Sequence, residues 1–168
     1  MKKLFLILVM CCGLATIAFG QKNGRLAVLN VKATATVTDN LQMLTIRNVD
    51  LINPPIQENA IVVSPITSEY AGMFKIIGNP GSRIRITYLQ REVLEEVHEG
   101  QGEVSAQYIL SAAFDDIQTQ SALLDVGEGV VRIGPDGWIY VWLGANLDLE
   151  KATPGLYLSE FIIELEYI

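Results

Sequence analysis

In the stretch "WIYVWLGANLDL", Trp138 to Leu149, the side chains sort into two sets by alternate position. Ile139, Val141, Leu143, Ala145, Leu147 and Leu149 fall on one side of an extended chain. Trp138, Tyr140 and Trp142 fall on the other. Successive side chains of a strand point to opposite faces of its sheet, so this period of two predicts a strand with one face in a core. The aromatic stripe on the other face has two readings. It can stack sugars or fill a protein interface, or loops and neighbouring strands can cover it.

The same period recurs on either side. In "SRIRITYL", Ile84, Ile86 and Tyr88 oppose Arg83, Arg85 and Thr87. In "AQYILSAAF", Tyr108, Leu110, Ala112 and Phe114 share a side. In "LNVKATATV", Leu29, Val31, Ala33, Ala35 and Val37 share one face. "LQMLTIRNVDL", "AIVVS" and "GMFKIIG" read as further strands, and "NPPI" breaks the first of these because Pro54 and Pro55 cannot donate to a ladder. "REVLEEVHE" contains good helix formers, but Val93 and Val97 followed by "GQG" suit a hairpin, and it is read as strand. "FDDIQTQSALLDVGEG" reads as an irregular loop. "GNPG" joins two strands, and "GPDG" is expected to close a hairpin between "VVRIG" and "WIYVWL". "ATPG" leads into a final strand over Tyr157–Tyr167. There Tyr157, Phe161, Ile163, Leu165 and Tyr167 share a face, with Glu160, Glu164 and Glu166 mostly opposite. There is no long helical period, internal repeat or linker. The pattern is that of one all-β domain, a sandwich or a barrel.

The first segment, "MKKLFLILVMCCGLATIAFGQ", is expected to be a signal peptide over residues 1–20. Lys2 and Lys3 form the positive region, Leu4 to Ile17 the apolar one, and Ala18-Phe19-Gly20 the cleavage site. A retained anchor is the weaker reading, because no second apolar span follows. Lipidation at Cys11 or Cys12 is disfavoured by Met10 and by the short apolar run ahead. The expected location is the periplasm, the cell surface or the extracellular space, with no membrane span after cleavage. The domain then covers residues 21–168, roughly the size of one domain. Both cysteines leave with the leader, so packing and strand pairing must supply stability without a disulfide. The net charge of −7 becomes −9 without Lys2 and Lys3. An acidic domain of this kind is not expected to bind nucleic acid or anionic membrane by general electrostatics.

Little in the chain points to catalysis. His98 is the only histidine and stands among Glu95, Glu96, Glu99 and Glu103. It could serve as a base or ligand, but an exposed residue in a charged hairpin is the simpler account. No nucleophile-elbow pattern accompanies it. Asp115, Asp116, Asp125 and Glu128 could offer oxygen ligands to calcium, but their spacing matches no EF-hand and a solvated loop is the better reading. The glycines form no phosphate-cradling motif. The expectation is a protein without enzymatic activity, cofactor or metal.

Several blocks resemble a known family. "GMFKIIGNPGSRIRITYL", "GWIYVWLGANLDL" and "PGLYLSEFIIELEY" are similar, in order, to three signature blocks of the bacterial secreted domain-of-unknown-function family 4402. "ATATVTDNLQMLTIRNVDL" is similar to its opening. The resemblance covers roughly Lys32 to Tyr167, and the family's Phe-Gly pair after "DL" is replaced here by "INPPI". That family is itself similar to spore-coat-U-like proteins and to chaperone–usher fimbrial subunits. The resemblance implies an immunoglobulin-like, pilin-like antiparallel β-sandwich with a structural role at the cell surface. Such subunits carry a penultimate aromatic, an alternating last strand and a glycine fourteen residues from the end. Here Tyr167 and Gly155 stand at those positions, although the disulfide common in pilins has no counterpart. The implied partners are other copies or related subunits, with a periplasmic chaperone. The implied mechanism is strand addition. Leu29, Val31, Ala33, Ala35 and Val37 would be donated to a groove beside Phe161, Ile163, Leu165 and Tyr167. The same segment could instead be the domain's own first strand, pairing in cis. The competing function is a self-contained binding module that uses Trp138, Tyr140 and Trp142.

Overall fold

The structure is a computed structural model and describes residues 40–98 and 101–168. Ten strands follow in chain order: β1 (Gln42–Arg47), β2 (Ala60–Val63), β3 (Gly72–Ile77), β4 (Arg83–Tyr88), β5 (Arg91–Glu95), β6 (Glu103–Ala113), β7 (Ala122–Leu123), β8 (Glu128–Arg132), β9 (Trp138–Asp148) and β10 (Ile163–Tyr167). They form two antiparallel sheets, an all-β sandwich-like fold. The large sheet runs β1-β3-β9-β6-β5, with β2 beside the second half of β9 and β7 beside the end of β6. The small sheet runs β10-β4-β8.

The core lies between the sheets, where the alternation places it. Ile84, Ile86 and Tyr88 of β4 and Ile163 and Leu165 of β10 are buried. They belong to the same apolar cluster as Ile139, Val141, Leu143, Ala145 and Leu147 of β9. Each fully buried Ile, Leu or Val side chain contributes roughly 1.5–3 kcal/mol. "REVLEEVHE" does contain a strand, β5, which pairs with β6 from Arg91↔Gln107 to Glu95↔Glu103. Pairing with a long neighbour outweighs the helix propensity of its glutamates.

Two segments stitch the layers together. β4 lies in the small sheet and β5 in the large one, yet only Leu89 and Gln90 separate them. Residues 83–95 are in effect one bent strand. The C-terminal segment follows the same bend. Tyr157 bridges Glu96 at the end of β5, and Val97 N donates to Leu156 O at 2.9 Å. Further on, β10 pairs with β4 from Ile163↔Tyr88 to Tyr167↔Ile84.

Four expectations need correction. "GPDG" does not close a paired hairpin, because β8 pairs with β4 and β9 pairs with β3 and β6. The turn signal fixes a chain reversal, with Gly137 at φ 90° and Gly134 N bonded to Trp138 O, while the arms go to different sheets. The final strand is also shorter than Tyr157–Tyr167. Only Ile163–Tyr167 is strand, and Tyr157 makes one isolated bridge as the chain crosses between layers. Phe114 does not follow Ala112 inward. β6 ends at Ala113, the alternation ends with it, and the ring is 52% exposed. The segment read as irregular holds a 3-10 turn over Gln118–Gln120, the short β7 and the start of β8. The proposed first strand, with Leu29, Val31, Ala33, Ala35 and Val37, lies outside the described residues, as does the signal segment.

Candidate functional site: the terminal strand and the outer face

The terminal segment is held by a polar knot. Ser159 is buried, and its Oγ donates to the carboxylate of Glu92 on β5. The Tyr108 hydroxyl on β6 donates to Ser159 Oγ at 2.7 Å, with Glu92 Oε2 at 3.3 Å as the second acceptor. Burial pushes the Tyr108 phenol up to about 12, and the charge of Glu92 adds to the rise. Phe161 then inserts between Tyr108 and Tyr88, with ring centroids 4.6 and 5.9 Å away. Such tilted pairs favour edge and offset contacts over a flat sandwich. Ser159 was detectable in the sequence as a polar residue inside "LYLSEFII". A polar group that is buried needs a partner.

Gly155 and Tyr167 have local reasons to be where they are. A Cβ on Gly155 would lie 2.6 Å from Glu96 Oε1. The absence of a side chain lets the Glu96 carboxylate reach Leu156 N, which donates to it at 3.1 Å. The Tyr167 hydroxyl accepts from Asn79 N at 2.9 Å and so ties the end of β10 to the β3–β4 turn. Leu41, just before β1, packs against the same point: a Cβ on Gly78 would meet both Tyr167 Oη and Leu41 Cδ1. The described chain therefore enters β1 beside the place where β10 finishes.

β10 has one paired edge and one open one among the described residues. Ile168 N donates to Arg83 O at 3.1 Å. In antiparallel pairing, hydrogen-bonded and non-bonded positions alternate. Glu164 and Glu166 therefore direct their backbone groups to β4, and Ile163, Leu165 and Tyr167 direct theirs to the open side. No described strand pairs with that side, nor with the outer side of β1. The structure thus groups Phe161, Ile163, Leu165 and Tyr167 along one segment, with Gly155 at its start.

The aromatic stripe of β9 is divided. Trp138, Tyr140 and Trp142 do point away from the core, but Trp142 is only 1% exposed and cannot act as a surface platform. Its cross-strand neighbour Ser111 donates to Pro65 O at 3.2 Å, and Gln118 Nε2 donates to Pro65 O and Ser68 O. A Cβ on Gly144 would lie 2.6 Å from Pro65 N and Cδ. The segment after β2 therefore crosses the outer face beside Trp142, held down by Ser111 and Gln118. Trp138 and Tyr140 stay half-buried, with Lys75 Nζ 3.9 and 5.5 Å from their ring centres. Ser111 is the buried member of the outward polar positions of β6, and its burial beside Trp142 marks the cover.

The chemical candidates do not converge. His98 is exposed, and its backbone N donates to Glu96 Oε2. Asp115, Asp116 and Asp125 are exposed, while Glu128 pairs with Arg85 at 3.0 Å. Among the described residues no group of three or more His, Cys, Asp or Glu could hold a metal ion, and no helix is long and apolar enough to cross a membrane. Comparison with family models and with curated proteins gives no match for the chain.

Proposed function

We propose that this chain is an exported structural subunit of a cell-surface or extracellular assembly, built by β-strand addition at the open edge of β10. One observation supports the reading most. β10 is buried on its inner face through Ile163 and Leu165, while the backbone groups of Ile163, Leu165 and Tyr167 face no described strand. An edge of that kind is a template for another strand, which gains main-chain hydrogen bonds and pockets for alternate side chains. The donor in this reading is the segment carrying Leu29, Val31, Ala33, Ala35 and Val37 of a neighbouring subunit. A head-to-tail donation does not close on itself and makes a filament. Other copies or related subunits are the partners, and a periplasmic chaperone would cover the edge before assembly. The resemblance to fimbrial subunits points the same way, and the role is non-enzymatic.

The test is sedimentation and thermal melting of residues 21–168 purified without a partner. Donation between chains predicts concentration-dependent polymers, which disappear in a Val31→Arg, Ala33→Arg variant and re-form when a peptide-blocked stock is released. A chain that stays monomeric at all concentrations and melts sharply would overturn assembly by exchange.

A further inference from the structure

The outer face of the large sheet carries a second feature, away from β10 and independent of the assembly reading. The ladder registers align Val62, Asn146, Gln107 and Arg91 in one row across β2, β9, β6 and β5. The next outward row is Ala60, Asp148, Ser105 and Val93. Between them lies an inward row whose Ile61, Leu147 and Ala106 are buried in the core. Apart from Val62, the two outward rows line a groove of about 440 Å³. A smaller depression of about 170 Å³ continues it past Ser105 and Asp148 to the Lys151–Glu103 ion pair. Cavities of several hundred Å³ are the size that holds a small ligand.

We propose that this groove binds a neutral oligosaccharide, with one sugar ring seated over Ser105, between Asp148 and Val93. The small serine side chain makes the floor low at that point. Val93, 60% exposed, stands beside it on β5 as an apolar wall for the C–H face of a ring. Asn146 and Gln107 lie directly opposite each other, and neither side chain has a hydrogen-bond partner among the described residues, nor has the guanidinium of Arg91. An amide both donates and accepts, as a hydroxyl does, so a paired Asn and Gln match neighbouring ring hydroxyls in either sense. Asp148 keeps Oδ2 for a further hydroxyl donor, since Oδ1 accepts from Glu150 N at 2.9 Å. Charge selects against an acidic sugar. Arg91 and Lys151 are outnumbered by Asp148, Glu103 and Glu150 around the two depressions. A polyanion would meet net repulsion there.

The experiment is an amide chemical-shift titration of the full chain with maltotriose, cellotriose and chitotriose, and with trigalacturonate as the acidic comparison. One neutral trisaccharide is expected to give saturable shifts at residues 60–62, 105–107 and 146–148. Asn146→Ala and Gln107→Ala should each weaken that binding about tenfold, the worth of one net hydrogen bond. Ser105→Leu should abolish it by filling the floor. Ser105 is exposed, so this variant is expected to melt as the parent does. The proposal is overturned if none of the three neutral sugars shifts these amides up to about 10 mM. It is equally overturned if the shifts fall at Trp138 and Tyr140 instead, or if trigalacturonate binds as tightly.

Discussion

Replacing Phe161 with alanine tests whether the terminal segment belongs to the cooperative core. The ring is 1% exposed and touches two aromatic rings, one from each sheet. Truncating a buried phenylalanine costs about 3–5 kcal/mol, the lost transfer energy plus the cavity left behind. A domain of this size typically holds about 5–15 kcal/mol in all. At about 2–4 °C per kcal/mol, the melting temperature should fall by about 6–20 °C. Urea unfolding followed by tryptophan emission should show the same loss as a lower midpoint with an unchanged slope. Ile162 is the internal control, since its side chain is exposed on the opposite side of the chain. Ile162→Ala should stay within about 0.5 kcal/mol of the parent. A Phe161→Ala loss below about 1 kcal/mol would refute the reasoning. It would mean that the segment from Tyr157 onward is laid over a core already complete without it.

Two further outcomes follow from other parts of the molecule. Gly144→Ala sets a Cβ against Pro65 and should cost about 1–3 kcal/mol, because backbone must move. It should also lift the crossing segment from Trp142 and make the emission redder and more accessible to acrylamide; an unchanged spectrum would show that something else covers the indole. Tyr108 gives a pH signature. Its phenol is raised from 10.0 to about 12 in the folded chain, so the neutral form is favoured by folding. The associated stability is fully present below pH 10 and is lost as pH climbs through about 12. Urea midpoints measured across that window should fall less steeply in Tyr108→Phe than in the parent, and parallel curves would remove the tyrosine from the account.

Most of the strands were legible from alternation alone, and the reason is visible in β4 and β9. Each buries one row of side chains between sheets, so a period of two is imposed on the sequence. Partners were not legible. The arms of "GPDG" look like a hairpin, yet β8 joins β4, because the turn carries no information about which ladder its arms enter. Trp142 took the covered of its two readings, but what covers it was not legible, for a different reason. Its cover comes from residues 64–68, far away in sequence, held by Ser111 and Gln118. The candidate edge was half legible. The row Ile163, Leu165 and Tyr167 follows from alternation, but the knot of Glu92, Tyr108 and Ser159 depends on three separate strands or segments meeting. The groove on the outer face escaped altogether, since its two rows assemble only when four strands are in register.

The covering of Trp142 has a consequence for how the molecule opens. Val141, Trp142, Leu143, Gly144 and Ala145 are all buried, so the middle of β9 is shielded on both faces; β6 pairs with it along one side, and along the other β3 pairs up to Leu143 and β2 from Ala145. Deuterium from solvent can reach those amides only when the large sheet itself comes apart. Their exchange should be the slowest in the described chain and should report the global unfolding free energy. The short β7 and the exposed β1 should trade their protons through smaller openings. Five residues in the centre of one strand would thus serve as an internal clock for the whole domain.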